Sequence, residues 1–153
     1  MTLRYSFLFA LLAGTGIARA QNTPAQDSVR AAVGLLFTAM KDADSAKLVA
    51  AFDDSAVLQT IVVDSNGRTI AHSYPISQFA SAIGKLPKGA ADEQVRIETL
   101  KVNGPLAQVW APYHFYYNGT LLHCGVDAFQ LIRTGGVWKI LYIVDTREKG
   151  VCE

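Results

Sequence analysis

An excess of charge of either sign is missing from this chain. Fourteen Lys+Arg stand against 13 Asp+Glu in 153 residues, and the basic ones are scattered. A surface that follows phosphates needs clustered Lys and Arg, so nothing here provides for nucleic acid or for an anionic membrane. Long apolar runs are missing too, except at the very start, so no later stretch crosses a bilayer. Neither an internal repeat nor a linker divides the rest, and the length suits one domain with a real core. Cysteine is scarce. The two present, Cys124 and Cys152, leave a disulfide or a buried thiol with a separate terminal one as the open readings.

What is present begins with an address. Residues Met1–Ala20 carry a basic start (Arg4), an apolar run from Phe7 to Ala13 and the small-residue pattern Ala18-Arg19-Ala20. That is the pattern of a secretory signal peptide cut before Gln21, leaving residues 21–153 as the mature domain. No cysteine follows the run, which argues against a lipid anchor. Cleavage removes Arg4 and Arg19 and no acid, leaving 12 basic residues against 13 acidic ones, a net charge of −1. The expected location is secreted or periplasmic, with no membrane contact in the mature form. In an oxidising compartment an exposed catalytic thiolate would not survive, whereas a Cys124–Cys152 bridge would staple the C-terminus to the sheet through a turn at Lys149-Gly150.

Local patterns set the element order. Asp27 reads as the N-cap of a helix to about Lys41, after a polar leader from Gln21 to Gln26. Val29, Ala32, Val33, Leu36, Phe37 and Met40 form its apolar stripe. Asp44 caps a second, shorter helix that Asp53-Asp54-Ser55 stops. Ala56 to Val63 and Arg68 to Ser73 read as a hairpin around Asp64-Ser65-Asn66-Gly67. Pro75 opens a third helix, ended by Pro87. Glu93 to Asn103 alternates like one half-exposed strand.

The last stretch, Leu106 to Arg147, reads as three antiparallel strands. Asn118-Gly119 and Gly135-Gly136 are two-residue turns whose residues accept positive φ. Strict two-residue registers put His114 opposite His123, Trp110 opposite Asp127, and Phe129 opposite Tyr142. Gln108, Trp110, His114, His123, Asp127, Phe129 and Tyr142 then share one face. Val109, Ala111, Tyr113, Phe115, Cys124 and Ile143 share the other, where Asp145 and Arg147 read as a structural pair or a dimer-rim contact. A one-residue slip in either hairpin would exchange the faces. The fold class is α+β, with helices over one face of a bent antiparallel sheet.

Three segments, LFTAMKDAD (Leu36 to Asp44), AFDDSAVLQT (Ala51 to Thr60) and HCGVDAFQLIRTGGVWKI (His123 to Ile140), together with DTR at Asp145 to Arg147, resemble the nuclear transport factor 2-like (SnoaL-like) superfamily. Within it they resemble the secreted bacterial group labelled putative lumazine-binding. The resemblance implies a cone-shaped barrel of bent antiparallel sheet, with the three helices of the N-terminal half over its concave face and a pocket between. It implies a homodimer through the outer sheet face. It does not name a reaction, because this fold hosts isomerases, cyclases, dehydratases, binders and association modules.

On that frame the face holding Gln108, Trp110, Phe129 and Tyr142 is expected to line a small-molecule pocket of unknown ligand. Asp127, His114 and His123 are the candidate catalytic groups of the alternative reading, a cofactor-free acid–base enzyme of isomerase or dehydratase type. A dimeric association module without ligand is the third reading. No cofactor is expected. No metal is expected either, since Asp127 lies four residues from His123, about 13 Å at the usual strand rise. The motif that would place an isomerase carboxylate by resemblance does not match, so no catalytic residue is carried over that way. Expression of the full chain in a Gram-negative host is expected to yield periplasmic protein beginning at Gln21. N-terminal sequencing checks this, and retention of Met1 on cytoplasmic protein would refute it.

Overall fold

The computed structural model describes residues 23–148 and Cys152. The segment 1–20 assigned to the signal, its cut before Gln21 and the Lys149-Gly150 turn lie outside the described residues. Three helices, α1 (Pro24–Lys41), α2 (Ser45–Ala50) and α3 (Ile76–Ile83), pack on a curved, unclosed sheet. Its strands are β1 (Phe52–Val63), β2 (Thr69–Tyr74), β3 (Ala91–Val95), β4 (Thr99–Asn103), β5 (Leu106–Tyr117), β6 (Thr120–Thr134) and β7 (Val137–Thr146). Their order is β2-β1-β7-β6-β5-β3, with β4 also on β5. All pairings are antiparallel except β1 on β7, which makes the sheet mixed.

Helix α1 starts three residues before the Asp27 cap that apolar spacing suggested. Thr23 is the cap: its hydroxyl accepts from Gln26 N–H while the Gln26 side chain accepts from Thr23 N–H, and Pro24 fills the first turn. This reciprocal box satisfies two otherwise orphaned donors, and Asp27 sits in the first turn where the helix dipole favours an acid. Asp44 does cap α2, accepting from Lys47 N–H at 3.0 Å. Helix α3 ends at Gly84, before Pro87. Strand β1 begins at Phe52, so Asp53-Asp54-Ser55 lies within a strand rather than in a stop. The segment read as one strand from Glu93 is two, β3 and β4. Pro112 on β5 accepts from Arg96 N–H but has no N–H to return, and the ladder breaks there.

Both turns close as two-residue reversals with positive φ at Asn118, Gly119, Gly135 and Gly136. The registers that follow from them hold only near the turns. Leu122 is an extra residue in β6, so Phe115, not His114, faces His123, and Ala111, not Trp110, faces Asp127. Leu141 is an extra residue in β7, so Phe129 faces Ile143 and Asp127 faces Asp145. Each bulge moves every side chain beyond it to the other face and sharpens the bend that wraps the sheet around its contents.

Two layers meet along the α1 stripe. Val29, Val33, Leu36, Phe37 and Met40 are buried against Val109, Phe129, Leu131 and Ile140. Phe37 meets Phe129 edge to face at 6.1 Å between ring centres. Each such side chain contributes about 1.5–3 kcal/mol on leaving water. Trp138 joins the core with its indole N–H donated to Ser28 Oγ at 3.0 Å. A disulfide joins Cys124 to Cys152, and Cys124 also bridges Glu148 through its backbone, so the chain beyond β7 is held against β6.

One close approach fixes that end of the sheet. A Cβ on Gly125 would lie 2.0 Å from the carbonyl oxygen of Thr146. Backbone cannot yield as a flexible side chain can. Gly125→Ala is therefore expected to lower stability by about 3 kcal/mol or more, since it must push Thr146 off β6. Urea unfolding checks this. A midpoint equal to that of the parent protein would mean the two strands separate freely here.

Candidate functional site

A cavity of about 930 Å³ opens between the C-terminal half of α1, helix α3, strand β1 and the β6–β7 end of the sheet. Leu36, Phe37 and Met40 reach it from α1, Phe79 and Ile83 from α3, and Phe52, Leu58 and Val62 from β1. Exposed Val63, Tyr74 and Leu122 mark its mouth. The walls are therefore apolar and rich in aromatic rings. The polar lining is concentrated in Glu93, Asp127, Asp145, Arg147, Thr60 and His123.

Of the residues chosen from sequence, Asp127, His123 and Phe129 face inward. Asp127 is 2 % exposed and lines the cavity with His123, whose ring stacks on Phe115 at 4.9 Å. Phe129 is fully buried beneath α1 and is core rather than lining. The Leu122 bulge leaves Gln108, Trp110 and His114 on the other side of β5, where Trp110 is 47 % exposed. Tyr142 likewise turns outward after the Leu141 bulge, its hydroxyl donating to Gln59 Oε1 at 2.7 Å. The expected meeting of His114 with His123, and of Trp110 with Asp127, does not occur.

In their place stand residues from other strands. Asp145 is 7 % exposed and well satisfied: Thr60 Oγ1 donates to it at 2.6 Å and Arg147 Nε at 2.8 Å. Arg147 Nη2 also donates to Thr60 Oγ1 at 3.2 Å, so the three side chains form a closed set. Buried Tyr113 donates its hydroxyl proton to Thr146 O at 2.8 Å and lies 3.1 Å from His123 Nδ1. That geometry assigns the Nδ1 proton to the histidine. Asp145 and Arg147 thus belong to the cavity lining rather than to a dimer rim.

Asp127 has no such support. Its Oδ2 is buried and makes no hydrogen bond among the described residues. Burial, followed by the charges of Glu93 and Asp145, holds its carboxyl well above the ordinary aspartate range. Burial also pushes Glu93 up to about 7, although the hydrogen bond from Asp127 and the Arg147 charge pull the other way. The Tyr113 phenol is raised, first by burial and then by the surrounding carboxylates. Among the described residues no group of three His, Cys, Asp or Glu is arranged to hold a metal ion. What the arrangement offers is two carboxyl groups of raised pKa in the wall of a largely apolar chamber.

Glu93 was the residue the sequence reading missed, although a signal existed. Val95 and Ile97 alternate on the apolar side of their segment, and the same period carried back two residues places Glu93 with them. Thr60 shares its parity with Leu58 and Val62 in the same way.

The raised carboxyls make stability depend on pH with a definite sign. The native state holds protons near neutrality that the unfolded chain releases, so the contribution of Glu93 and Asp127 is fully present below the ordinary carboxylate range. For Glu93 it is lost as pH rises through about 7, and Asp127, raised as well, acts in the same direction. Surface Asp44, Asp53, Asp64 and Asp92, whose carboxyls are lowered, act at more acid pH. The melting temperature is expected to fall between pH 5 and pH 8, and Glu93→Gln to flatten that fall. A parent profile rising over this interval would contradict the assignment.

Comparison with known proteins agrees with this geometry. The family described as "Putative lumazine-binding" matches residues 24–144. No curated protein matches. Among solved structures, an NTF2-like protein of unknown function from Methylobacillus flagellatus KT is 20 % identical with a TM-score of 0.66, covering 87 % of this chain and 99 % of its own. An NTF2-like protein of unknown function from Shewanella baltica OS155 is 17 % identical with a TM-score of 0.65, covering 85 % and 100 %. A ketosteroid isomerase-like protein from Erwinia carotovora atroseptica SCRI1043 is 17 % identical with a TM-score of 0.61, covering 84 % and 100 %. At these identities the likeness establishes a shared architecture. With helices, curved sheet and matched span in accord, this chain has the NTF2-like fold and belongs to the Putative lumazine-binding family.

Proposed function

We propose that the protein is an exported small-molecule-binding protein that holds its ligand in the cavity between α1, α3 and the curved sheet. The observation that carries this reading is the chamber itself. Its volume of about 930 Å³ lies at the upper end of the range for small-molecule sites, and apolar walls surround a few converging polar groups. An association module has no need for such a space and would be more stable with it filled. The family name points the same way, toward a heterocyclic ligand. A second copy across the outer sheet face, around the exposed Trp110, completes the reading.

One observation favours acid–base catalysis as a second reading. A general acid or base works best with a pKa near the operating pH, and Glu93 at about 7, beside Asp127, meets that requirement. On this reading Glu93 and Asp127 exchange a proton with a bound substrate, and the roles first assigned to His114 and His123 fall to this pair.

A thermal-shift screen against metabolites tests the binding reading. Some compound is expected to raise the melting temperature. Saturation to a hundred times Kd corresponds to about 2.7 kcal/mol. Ala82→Trp, a change at an exposed position on the cavity lining, is expected to abolish the shift while the circular dichroism spectrum stays that of the parent. A hit that survives the plug would place binding elsewhere.

A further inference from the structure

We propose that the Glu93 and Asp127 carboxyl groups in the cavity wall are the anchor for a cationic amine carried on a compact apolar body that enters the chamber. This rests on reading the cavity as a small-molecule site and adds the chemical class of the ligand. Three observations carry it.

The first is the unbalanced charge of the lining. Three carboxyl groups, Glu93, Asp127 and Asp145, line the cavity, and among the described residues Arg147 is the only Lys or Arg in that lining. Arg147 is already committed, with Nε on Asp145 and Nη2 on Thr60. Glu93 and Asp127 are left to each other, and a ligand cation would supply the missing counter-charge.

The second is the vacant valence of Asp127. Its Oδ2 is buried without a partner among the described residues, although the residue lines the cavity and is only 2 % exposed. Leaving such an atom unpaired is costly, and an ammonium N–H would recover the loss. A ligand carboxylate there would meet like charge.

The third is the character of the walls. Phe37, Phe52, Phe79 and Phe115 present ring surface to the same chamber. Aromatic faces stabilise an adjacent cation and also bury an apolar body. A hydrophilic amine would leave those rings uncompensated, so the ligand class is an aryl or alkyl amine.

Proton balance gives the proposal a signature. The titratable and charged groups around the pair are Tyr113 from β5, His123 from the same strand as Asp127, Asp145 from β7, Arg147 just past its end and Tyr74 from β2, while α1 and α3 bring no charged side chain to the lining. As the ammonium seats, a proton on these carboxyls leaves to solvent and the amine keeps its own. With Glu93 titrating at about 7, affinity rises about tenfold between pH 6 and pH 8, an interval over which an alkyl amine remains charged.

Isothermal titration calorimetry of the protein with 2-phenylethylamine, 2-phenylethanol and phenylacetate tests this. Each titration is run at pH 6 and pH 8 in two buffers of different ionisation enthalpy. The amine alone is expected to bind, more tightly at pH 8, with proton release at pH 6. Asp127→Asn and, separately, the more accessible Glu93→Gln are expected each to weaken the amine at least tenfold at pH 8. Near-ultraviolet circular dichroism reports whether each variant is folded. If the alcohol or the acid binds as well as the amine, or the amine binds without pH dependence, the anchor is wrong and the binding reading survives. If none of the three binds, the amine inference is overturned, and the metabolite screen then decides the binding reading independently.

Discussion

Taking carboxyl groups out of water is costly unless each finds a cation or a set of donors, and this sheet buries Asp127 and Asp145 in one place with half-buried Glu93 beside them. The fold solves the problem completely for one of them. Asp145 receives Thr60 from β1 and Arg147 from its own strand end, and Tyr113 from β5 closes over it. These contacts join three strands through side chains, across the parallel β1–β7 pairing that backbone bonds already make. The solution extends to covalent structure. Gly125 lets the end of β7 lie directly against β6, and the Cys124–Cys152 bridge holds the following segment there. Arg147 is thereby kept over Asp145 although its own side chain is 45 % exposed.

Glu93 and Asp127 are left with the weaker solution, in which a retained proton replaces a cation. That is why both carboxyls are displaced upward while the neighbouring salt-bridged set stays intact. The apolar chamber beside them matters as much as their proximity. Phe37, Phe115 and Ile143 keep solvent polarity low at the pair, and the opening past Val63 and Leu122 gives a ligand access that bulk solvation does not fully exploit. The same wall that raises the carboxyls would strengthen any charge–charge contact a ligand made with them.

Much of the frame was legible in the residues. Turn chemistry at Asn118-Gly119 and Gly135-Gly136, the α1 stripe and the helix–helix–hairpin–helix order gave the layers and most strand bounds. The interior was less legible, for one physical reason. Face assignment by alternation carries forward any error in register, and Leu122 and Leu141 each add one residue that no turn motif announces. Up to the first bulge β6 obeys the simple register. Beyond it Asp127 and Trp110 part company. Asp127 and His123 nevertheless keep a common face, because the Leu122 shift acts on their supposed partners in β5 and leaves their own parity intact. Asp145 and Arg147 form the structural pair that was one of two readings, and the second bulge, at Leu141, is what brings them to the face of Asp127. Glu93 was hidden differently, since an acid at a strand start reads as solvated unless the period behind it is followed.

The two acids also discriminate between the ways an NTF2-like chamber can be used. Were the cavity a by-product of sheet curvature, apolar residues at positions 93 and 127 would be the stable choice, since replacing buried ionisable groups by well-packed apolar ones is often neutral or stabilising by about 1–4 kcal/mol. Here the opposite arrangement is built with some care. Asp127 sits in the central strand opposite Asp145, where β6 can neither twist nor fray to release it, and Glu93 is paired to Phe115 on the adjoining strand. A rigid strand position holds a side chain far more narrowly than a loop does. The fold thus answers the desolvation of Asp145 with Thr60 and Arg147 and leaves Asp127 Oδ2 without a partner among the described residues, and that asymmetry between two carboxyls facing each other across β6 and β7 is what a ligand in the chamber would redress.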